Sequence, residues 1–496
     1  MKPATMPVTA PARSAFAPLP LALAFATVLA AAPALALDPL GSDALAPPRP
    51  ALGGSEGQGA NPCPEQPVSG PLSLTEVVER ALCHNPQTRE VWANARAQAA
   101  LVGVAQAAYL PGLSLSAGQS RNRNDSRKPE SYTQKNAGLT LSYLLFDFGA
   151  RAATLENARQ LLAAAAATQD STVQAVFLAA LQAYYQVQAT EAALVAARES
   201  ERASLESFNA ADARYKVGTA TPADRLQAQT AYSQASLKRI QADRDFKNAQ
   251  GTLANVIGGE AHRPPALVPA TPVVAPTREF TADVDALVAE ARRRRPDLVA
   301  AEAQYQAAQA NVEAARAAGL PTLSLTAGPA YQDLGGNVSN TSSIGVTLNV
   351  PLFTGFSTTY KVRNAESLKE AREAQRERIR QQVALDVWKA YQGLITAGQS
   401  LQTTADLLVS AEAAEKVALG RYKAGLGSIL DVLNAQSALA AARQQRVQAT
   451  FEWNVSRATL AQSMGNLDIS LLQSLPDAAT ANAGQPAASG PIQGSN

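Results

Sequence analysis

The chain is poor in the residues from which most enzyme and metal sites are built. It has only 2 His and 2 Cys in 496 residues, which argues against a metal site with several ligands. Aromatic residues make up 5% and charged residues 17%, a composition that favours long Ala-rich helices over a thick aromatic core. With 43 Lys+Arg against 41 Asp+Glu, the chain lacks the strong positive charge of nucleic-acid-binding proteins. We therefore expect no catalytic activity, no cofactor and no nucleic-acid partner.

Long hydrophobic runs are also scarce, and the main one lies at the N-terminus. A charged start with Lys2 and Arg13 precedes the apolar run 21–32, and an A-x-A sequence ending at Ala36 follows. This order predicts a secretory signal peptide at 1–36 that is cleaved after Ala36. The run is shorter than the roughly 20 residues that a membrane-spanning helix needs. We expect an exported protein without a helical membrane anchor.

Export makes a disulfide the expected state of the two cysteines. Cys63 and Cys83 have 19 residues between them, and an oxidising compartment would let them join. Closing such a loop stabilises a fold by about 3 kcal/mol in the chain-entropy model. The prediction is a disulfide that ties a Pro-rich leader, 37–72, to the first helix. The alternative is a reactive thiol or a metal site at Cys83 and His84, for which no further ligands are evident.

The chain contains a tandem duplication of about 200 residues. The segment LPGLSLSAG at 110–118 returns as LPTLSLTAG at 320–328, an offset of 210 residues. The segment RYKVG at 214–218 returns as RYKAG at 421–425, an offset of 207. Because the offset falls by three between the strand segments, the halves must differ in the loop that joins them.

Both halves have the same predicted layout of helices, two strands and a long helical hairpin. The first repeat is 73–257, with strands at 113–119 and 138–145 and a hairpin tip at 217–221; the second is 281–470, with strands at 322–328 and 344–352 and a tip at 424–428. The segment 258–280 is predicted as a linker and 471–496 as a disordered tail. The 66 residues 151–216 contain no Gly or Pro and would span roughly 100 Å as a helix. Their four-three apolar spacing indicates coiled-coil packing.

The predicted strands alternate apolar with small polar residues, as in Leu113-Ser114-Leu115-Ser116. This alternation suits a membrane barrel with lipid outside and water inside, and it equally suits a soluble antiparallel sheet with one face on a core. The position of the strands between very long helices favours the barrel. Four strands cannot close around a channel, so chains must share the barrel. Three copies would give twelve strands, the smallest number with an open passage.

Several segments together resemble a known family. They are the paired L-P-x-L-x-L strands, the strands that end in Leu145-Phe146-Asp147 and Pro351-Leu352-Phe353, and the repeated R-Y-K-[VA]-G turns. In this order they resemble the TolC family of outer-membrane exit ducts. The resemblance implies an α+β membrane protein: a homotrimer with a 12-stranded transmembrane β-barrel, four strands per chain, in outer-membrane lipid. The barrel would continue into a long α-helical coiled-coil periplasmic tunnel, with an equatorial region near 258–284.

The resemblance also assigns roles to the hairpin tips. Adaptor docking would involve Arg214, Val217, Gly218, Arg421, Ala424 and Gly425, and the pore constriction and gate would involve Asp431, Asn434, Asp224 and Tyr422. The sequence departs from the family pattern at Gly427, where a locking Arg is expected, and at Asn434, where a second Asp is common. Helix capping offers a simpler reading, because Thr221–Asp224 and Ser428–Asp431 both match capping boxes.

The functional hypothesis is a passive outer-membrane exit duct with a large periplasmic portion. The stretch 81–87, with Cys63 upstream, resembles the subgroup that serves type I secretion. That resemblance implies an exported, toxin-like protein cargo, a periplasmic adaptor (membrane fusion protein) and an inner-membrane ABC transporter. The alternative is the channel of a small-molecule or multidrug efflux pump. A different class is a periplasmic adaptor, which normally has one hairpin, or a coiled-coil structural protein, which would lack the strands.

Overall fold

The structure is a computed structural model of the chain, and it describes residues 38–49, 63, 70–123, 125, 131–269 and 283–467. The predicted signal peptide and C-terminal tail lie outside the described residues. The helices are α1 (Leu74–His84), α2 (Pro86–Ala107), α3 (Ala150–Lys216), α4 (Pro222–Val256), α5 (Val284–Arg294), α6 (Pro296–Ala317), α7 (Ser357–Lys423) and α8 (Ile429–Ser463). The strands are β1 (Gly112–Arg123), β2 (Ser131–Phe146), β3 (Thr322–Leu334) and β4 (Asn337–Asn349), and a short 3-10 helix covers Ser42–Leu45.

The two halves form equal hairpins of long helices. Helices α3 and α7 have 67 residues each, and α4 and α8 have 35 residues each. At 1.5 Å per residue the longer pair spans about 100 Å. Helix α3 packs against α4, α7 packs against α8, and α8 also packs against α3, so the two hairpins lie side by side.

Left-handed glycines end the long helices at the two tips. Gly218 has φ 78° and Gly425 has φ 80°. The N–H of Thr219 donates to the carbonyl of Arg214 at 2.9 Å, and the N–H of Leu426 donates to that of Arg421 at 2.8 Å. Both tips therefore use the same Schellman C-cap, which favours Gly because of its positive φ.

Two shorter helices, α2 and α6, also pack against the long helices. Helices α2 and α6 have 22 residues each and begin with Pro86 and Pro296, which lack only an N–H that the first helical position cannot use. Helix α2 packs against α3, and α6 packs against both α3 and α7. Asn85, between α1 and α2, contacts the end of α4: its side-chain amide donates to the carbonyl of Val256 at 3.0 Å. The long helices α3 and α7 thus pack against α4 and α8 and also against the 22-residue helices.

The strands form one antiparallel sheet in the order β1-β2-β3-β4. The strand bounds predicted for 113–119, 138–145 and 322–328 were too short. The ladder continues beyond the alternating pattern, for example from Gln119↔Lys135 to Arg123↔Ser131. The added part of β1 is polar on both faces, and those of β2 and β3 contain only isolated large apolar or aromatic residues, so the apolar alternation used for the prediction is absent there.

The fourth strand was also misplaced by the prediction of 344–352. It begins at Asn337 and ends at Asn349. Its early start follows from pairing with β3, which reaches Leu334↔Asn337. Its end precedes Pro351, which has no N–H to donate to a ladder.

The two strand hairpins differ in their turns, as the change of offset requires. Gly335 and Gly336 alone connect β3 to β4, with φ 66° and 97°, the conformation of a two-residue hairpin turn. Between β1 and β2 lie the seven residues 124–130. The second half therefore has the shorter connection.

Packing between helices depends largely on alanine. The buried residues of α6 are six Ala and Val312, which lets neighbouring helices approach closely. The main apolar cluster lies midway along α3 and at the end of α4, where Val77 and Val78 of α1 pack with Leu181 and Tyr184 of α3 and Leu253 of α4. None of the described helices combines the length and hydropathy needed to cross a bilayer.

Candidate functional site

One face of the sheet is apolar and exposed. The register places Leu113 opposite Leu141, and Leu325 opposite Val346, and residues directly opposite share a face. Large apolar side chains on this face are well exposed, with Ile344 at 79% and Leu113 at 67%. Such a continuous exposed apolar surface marks contact with a membrane or a partner.

The opposite face carries small and polar side chains. Ser116 lies opposite Gly138, and Thr326 lies opposite Gly345. A Cβ at Gly118 would lie 2.8 Å from Asn136 Oδ1, and one at Gly328 would overlap the carbonyl of Leu139. Gly is thus required at 328, where the neighbouring backbone comes closest, whereas a Cβ at 118 would need only the Asn136 side chain to move.

The sheet has two unpaired edges, β1 and β4, of 12 and 13 residues. Edge strands present rows of backbone donors and acceptors to another chain. Because β1 is one edge and β4 the other, copies of the chain could pair head to tail around a ring.

A fixed corner joins the sheet to the first long helix. Asp147 is 7% exposed, and its Oδ2 accepts a hydrogen bond from Nε of Arg151 at 3.0 Å. The Arg151 guanidinium also lies 4.9 Å from the ring centroid of Tyr109. In the second half, 207 residues later, Thr354 and Thr358 stand in their places with hydroxyls 3.2 Å apart. The same corner is therefore held by an ion pair in one half and by a weaker hydroxyl contact in the other.

Aromatic residues surround both corners. Phe146 contacts Phe148 with centroids 4.7 Å apart, and Phe353 contacts Phe356 at 5.5 Å. All four are exposed. Aromatic girdles of this kind sit at the membrane–water interfaces of transmembrane barrels.

The acidic residues of the tips cap their helices. Asp224 Oδ2 accepts from the Thr221 N–H at 2.9 Å and from its hydroxyl at 2.8 Å. Asp431 Oδ2 accepts from the Ser428 N–H at 3.1 Å, and its own N–H donates to Ser428 Oγ at 3.1 Å. The pKa of Asp224 is lowered by the hydrogen bonds from Thr221. Those from Ser428, with the nearby charge of Arg421, lower the pKa of Asp431. Both carboxylates therefore stay ionised at pH values below those at which a free Asp becomes protonated.

Tyr422 and Arg214 join the two tips. Tyr422 is 7% exposed and packs in a small cluster with Ala211, Ile429 and Val432. The Arg214 guanidinium lies 4.0 Å from the Tyr422 ring centroid, and its Nη2 donates to the Tyr422 carbonyl at 2.8 Å. The structure thus brings together a predicted docking residue and a predicted gate residue. A contact of Asp224 with Tyr422, implied by the family resemblance, stays a prediction.

The other predicted tip residues lie at the surface. Val217, Gly218, Arg421, Ala424, Gly425, Asp431 and Asn434 are exposed. At Gly427, where a locking Arg is expected, a Cβ would lie 3.2 Å from the Cβ of Arg421 and 3.3 Å from the Tyr422 nitrogen. A side chain there would require these neighbours to shift by a few tenths of an ångström.

Asp212 is a tip residue that the sequence did not reveal. Its carboxylate lies 2.7 Å from Lys216 Nζ and 2.6 Å from Arg225 Nε. These hydrogen bonds, that from Lys216 foremost, lower the pKa of Asp212. The spacing of Asp212 and Lys216 is the helical i,i+4 spacing and could have been noticed. The link to Arg225 depends on how the turn folds back, which no sequence signal gives.

The described residues of the leader contact the helices through a disulfide, a hydrogen bond and an ion pair. Cys63 and Cys83 form a disulfide with their Cα atoms 5.3 Å apart, and both are buried. Nearer the N-terminal end of the leader, the Pro48 carbonyl accepts from Gln169 Nε2 at 2.8 Å. Asp43 lies 3.5 Å from Arg96 Nη2 on α2. The described leader therefore contacts both α2 and α3.

Known proteins share this chain's sequence pattern and architecture. The family model described as "Outer membrane efflux protein" matches residues 77–259 and 287–466. Protein CyaE of Bordetella pertussis is 32% identical over 412 residues, which covers 82% of this chain and 86% of that protein. Outer membrane protein TolC of Vibrio cholerae is 27% identical over 404 residues, covering 80% and 91%.

Solved structures agree on the fold. The Campylobacter jejuni CmeC outer membrane channel superposes with a TM-score of 0.72 at 19% identity, over 83% of this chain and 88% of that one. The chain shares with it a mostly helical architecture with one sheet. The family match, the relatives and the shared fold lead to one conclusion: the chain belongs to the outer membrane efflux protein family, and it is an outer-membrane transport channel with a large periplasmic portion rather than an enzyme.

Proposed function

We propose that this protein is the outer-membrane exit duct of a type I secretion system, which passively conducts an exported polypeptide to the exterior. One observation carries the proposal. An open sheet with an apolar exposed face and two free edges continues, through aromatic-lined corners, into two helices of 67 residues. A lipid-embedded wall followed by a pipe of about 100 Å is the arrangement that a duct across the periplasm needs.

The open sheet requires other copies of the chain. Unpaired backbone groups in lipid cost several kcal/mol each, so β1 of one copy would pair with β4 of the next. Two copies give eight strands, whose interior side chains would fill, and three give twelve, which leave a passage. The proposed assembly is a homotrimer with a 12-stranded barrel, and its helical hairpins form the periplasmic tunnel. Helices α1 and α5, with the described part of 258–280, would form its equatorial collar.

Polypeptide secretion is favoured over small-molecule efflux by the first helix and its leader. The stretch 81–87 resembles the secretion subgroup, and the structure joins Cys83 in this stretch to Cys63 upstream. Among the relatives, CyaE at 32% identity carries no efflux name, whereas SepC and TtgF of Pseudomonas putida, at 29%, are named efflux pump proteins. Efflux remains the second candidate because of those names.

The tips would meet the other components of the system. Val217 and Leu426 are 73% and 74% exposed at the two turns, which offers apolar contact to a periplasmic adaptor beside Arg421. The adaptor would connect the duct to an inner-membrane ABC transporter. Asp431 and Asn434, repeated three times around the axis, would form the constriction. The contact between Arg214 and Tyr422 would help to hold the tips in one arrangement.

Gene deletion separates the two candidate functions. Loss of the gene should stop secretion of a large protein and leave resistance to small toxic compounds unchanged. A complementing copy should restore secretion, and a copy that lacks the tip residues 217–221 should not. Unchanged secretion with lost resistance would contradict the proposal and favour efflux.

A further inference from the structure

The charged residues of the described strands all lie on one face of the sheet. Four are present in β1–β4: Arg121, Arg123, Lys135 and Asp333. Lys135 lies opposite Asp333 on one side and opposite Gln119 on the other. In β1, Arg121 and Arg123 continue the row of Leu113 and Leu115, because side chains two residues apart share a face. The charges therefore follow the apolar face and lie beyond its outer end.

The opposite face has no charge along the whole described length of the strands. Apart from Leu144 and Leu334, its cross-strand neighbours are hydroxyl, amide and small residues, such as Ser120↔Gln134, Asn136↔Gln332 and Gln332↔Ser339. The same row contains the crowded glycines Gly118 and Gly328. If the apolar face meets lipid, this neutral face surrounds the passage.

We propose that the barrel passage exerts no fixed-charge selection, so the duct admits extended polypeptide segments of either sign of charge. This inference rests on the proposed function, and it names a property of the cargo. A charged ring in a narrow, low-dielectric wall would favour one sign of mobile charge. A wall of hydroxyls and amides instead exchanges hydrogen bonds with backbone and water without holding a charged segment. Charge discrimination is then confined to the helical part, where Asp431 lies at a tip.

Two glutamines provide a matched test. Gln332 of β3 lies on the neutral face opposite Asn136, and Gln119 of β1 lies on the other face opposite Lys135. Lys135 and Asn136 are consecutive residues of β2, so the two glutamines lie at nearly the same height. The exchange of Gln for Glu therefore adds the same charge at nearly the same height on opposite faces. The measurement is the reversal potential of the channel in planar bilayers under a KCl gradient. An Asp431→Asn background removes the charge of the proposed constriction.

The neutral wall predicts a symmetric response. Gln332→Glu should shift the reversal potential towards cation selectivity, and Gln332→Lys should shift it towards anion selectivity by a comparable amount. Gln119→Glu should leave it unchanged. Equal effects of Gln332→Glu and Gln119→Glu would overturn the inference, as would strongly unequal responses to the two signs at position 332.

Secretion tests the consequence for the cargo. Two cargo proteins that differ only in an acidic or a basic tail of equal length should leave the cell in a ratio that Gln119→Glu does not change and Gln332→Glu shifts towards the basic tail. An unshifted ratio would overturn the inference even if the channel conducts. Absence of both conductance and secretion from the parent protein would instead overturn the proposed function, and the inference with it.

Discussion

At the scale of single residues, the tips show that one side chain can serve two purposes. Asp431 completes a capping box with Ser428 and also carries a charge at the exposed tip. The capping role was predictable from the S-x-x-D spacing, because that spacing places the carboxylate beside the N-cap backbone. A role in the pore depends on where the copies of the proposed trimer would meet, which the sequence alone does not specify.

Two substitutions separate these roles. Asp431→Asn should retain helix capping, since an Asn side chain also accepts hydrogen bonds, but should weaken cation selectivity. Asp431→Ala should weaken selectivity and also loosen the start of α8. Selectivity is measured by bilayer conductance, and loosening by hydrogen exchange at 429–433. If the selectivity of both variants matches that of the parent, Asp431 has no role in the pore.

The pH dependence of this carboxylate has a definite sign. Hydrogen bonds from Ser428 and the charge of Arg421 lower the pKa of Asp431 in the folded protein. Its stabilising effect is therefore present above the unfolded value of about 3.9 and is lost as the pH falls through the lower folded value. Conductance measured from pH 7 down to about 4 should show no loss of the Asp431-dependent selectivity. An earlier loss would contradict the lowered pKa.

Removal of the Arg214 side chain should loosen the two tips. It stacks on Tyr422 and donates to its carbonyl, contacts worth about 1–3 kcal/mol together. Arg214→Ala should raise the basal conductance and the uptake of a large antibiotic. The matched control is Arg198→Ala on the same helix, whose exposed side chain makes only a 4.0 Å ion pair with Asp243. Equal leakage in the two variants would exclude a specific role for the Arg214 contact.

At the scale of elements, the helices were more predictable than the strands. The absence of Gly and Pro between 151 and 216 predicted a single long helix, and the structure shows Ala150–Lys216. The strands were predicted only where lipid-facing alternation is present. Beyond it, polar residues such as Asn136 and Ser339 pair with Gln332 between them because the preceding ladder aligns the strands. This is a long-range effect that a local pattern does not contain.

The disulfide makes the leader an element that can be tested separately. Cys63→Ser should allow the leader to detach from α1, because the loop closed by the bond stabilises the attached state by about 3 kcal/mol. The expected result is faster trypsin cleavage after Arg49, measured by mass spectrometry on the folded protein. Reducing agent should have the same effect on the parent protein and none on a Cys63→Ser/Cys83→Ser variant. Equal cleavage of the parent and the variants would show that other contacts hold the leader.

At the scale of the whole molecule, the exposed apolar sheet face predicts the oligomeric state. Purified in mild detergent, the protein should have about three times the mass of one chain, measured by light scattering with correction for detergent. On gels, unheated samples should migrate as a larger species that heating converts to the monomer. A stable monomer would be incompatible with the proposed shared barrel, because it leaves β1 and β4 unpaired in lipid.

The duplication explains which parts of the assembly the sequence could predict. Equal hairpins, their caps and the different strand turns all follow from the comparison of one half with the other. The halves then diverge at particular contacts, such as Asp147 with Arg151 against Thr354 with Thr358. Arg214 likewise stacks on Tyr422, whereas its repeat partner Arg421 is exposed. The first difference is already visible in the self-comparison, because Thr354 and Thr358 replace Asp147 and Arg151. The second arises from how the halves pack on each other, so self-comparison cannot supply it.

The unequal strand turns have a consequence for the proposed barrel. The Gly335–Gly336 turn leaves almost no chain beyond the last paired residues, whereas seven residues separate β1 from β2. In the proposed trimer, connections of two and of seven residues would alternate around the barrel. An inserted epitope tag therefore belongs in the seven-residue connection, since added residues in the diglycine turn would shift the register of β3 against β4.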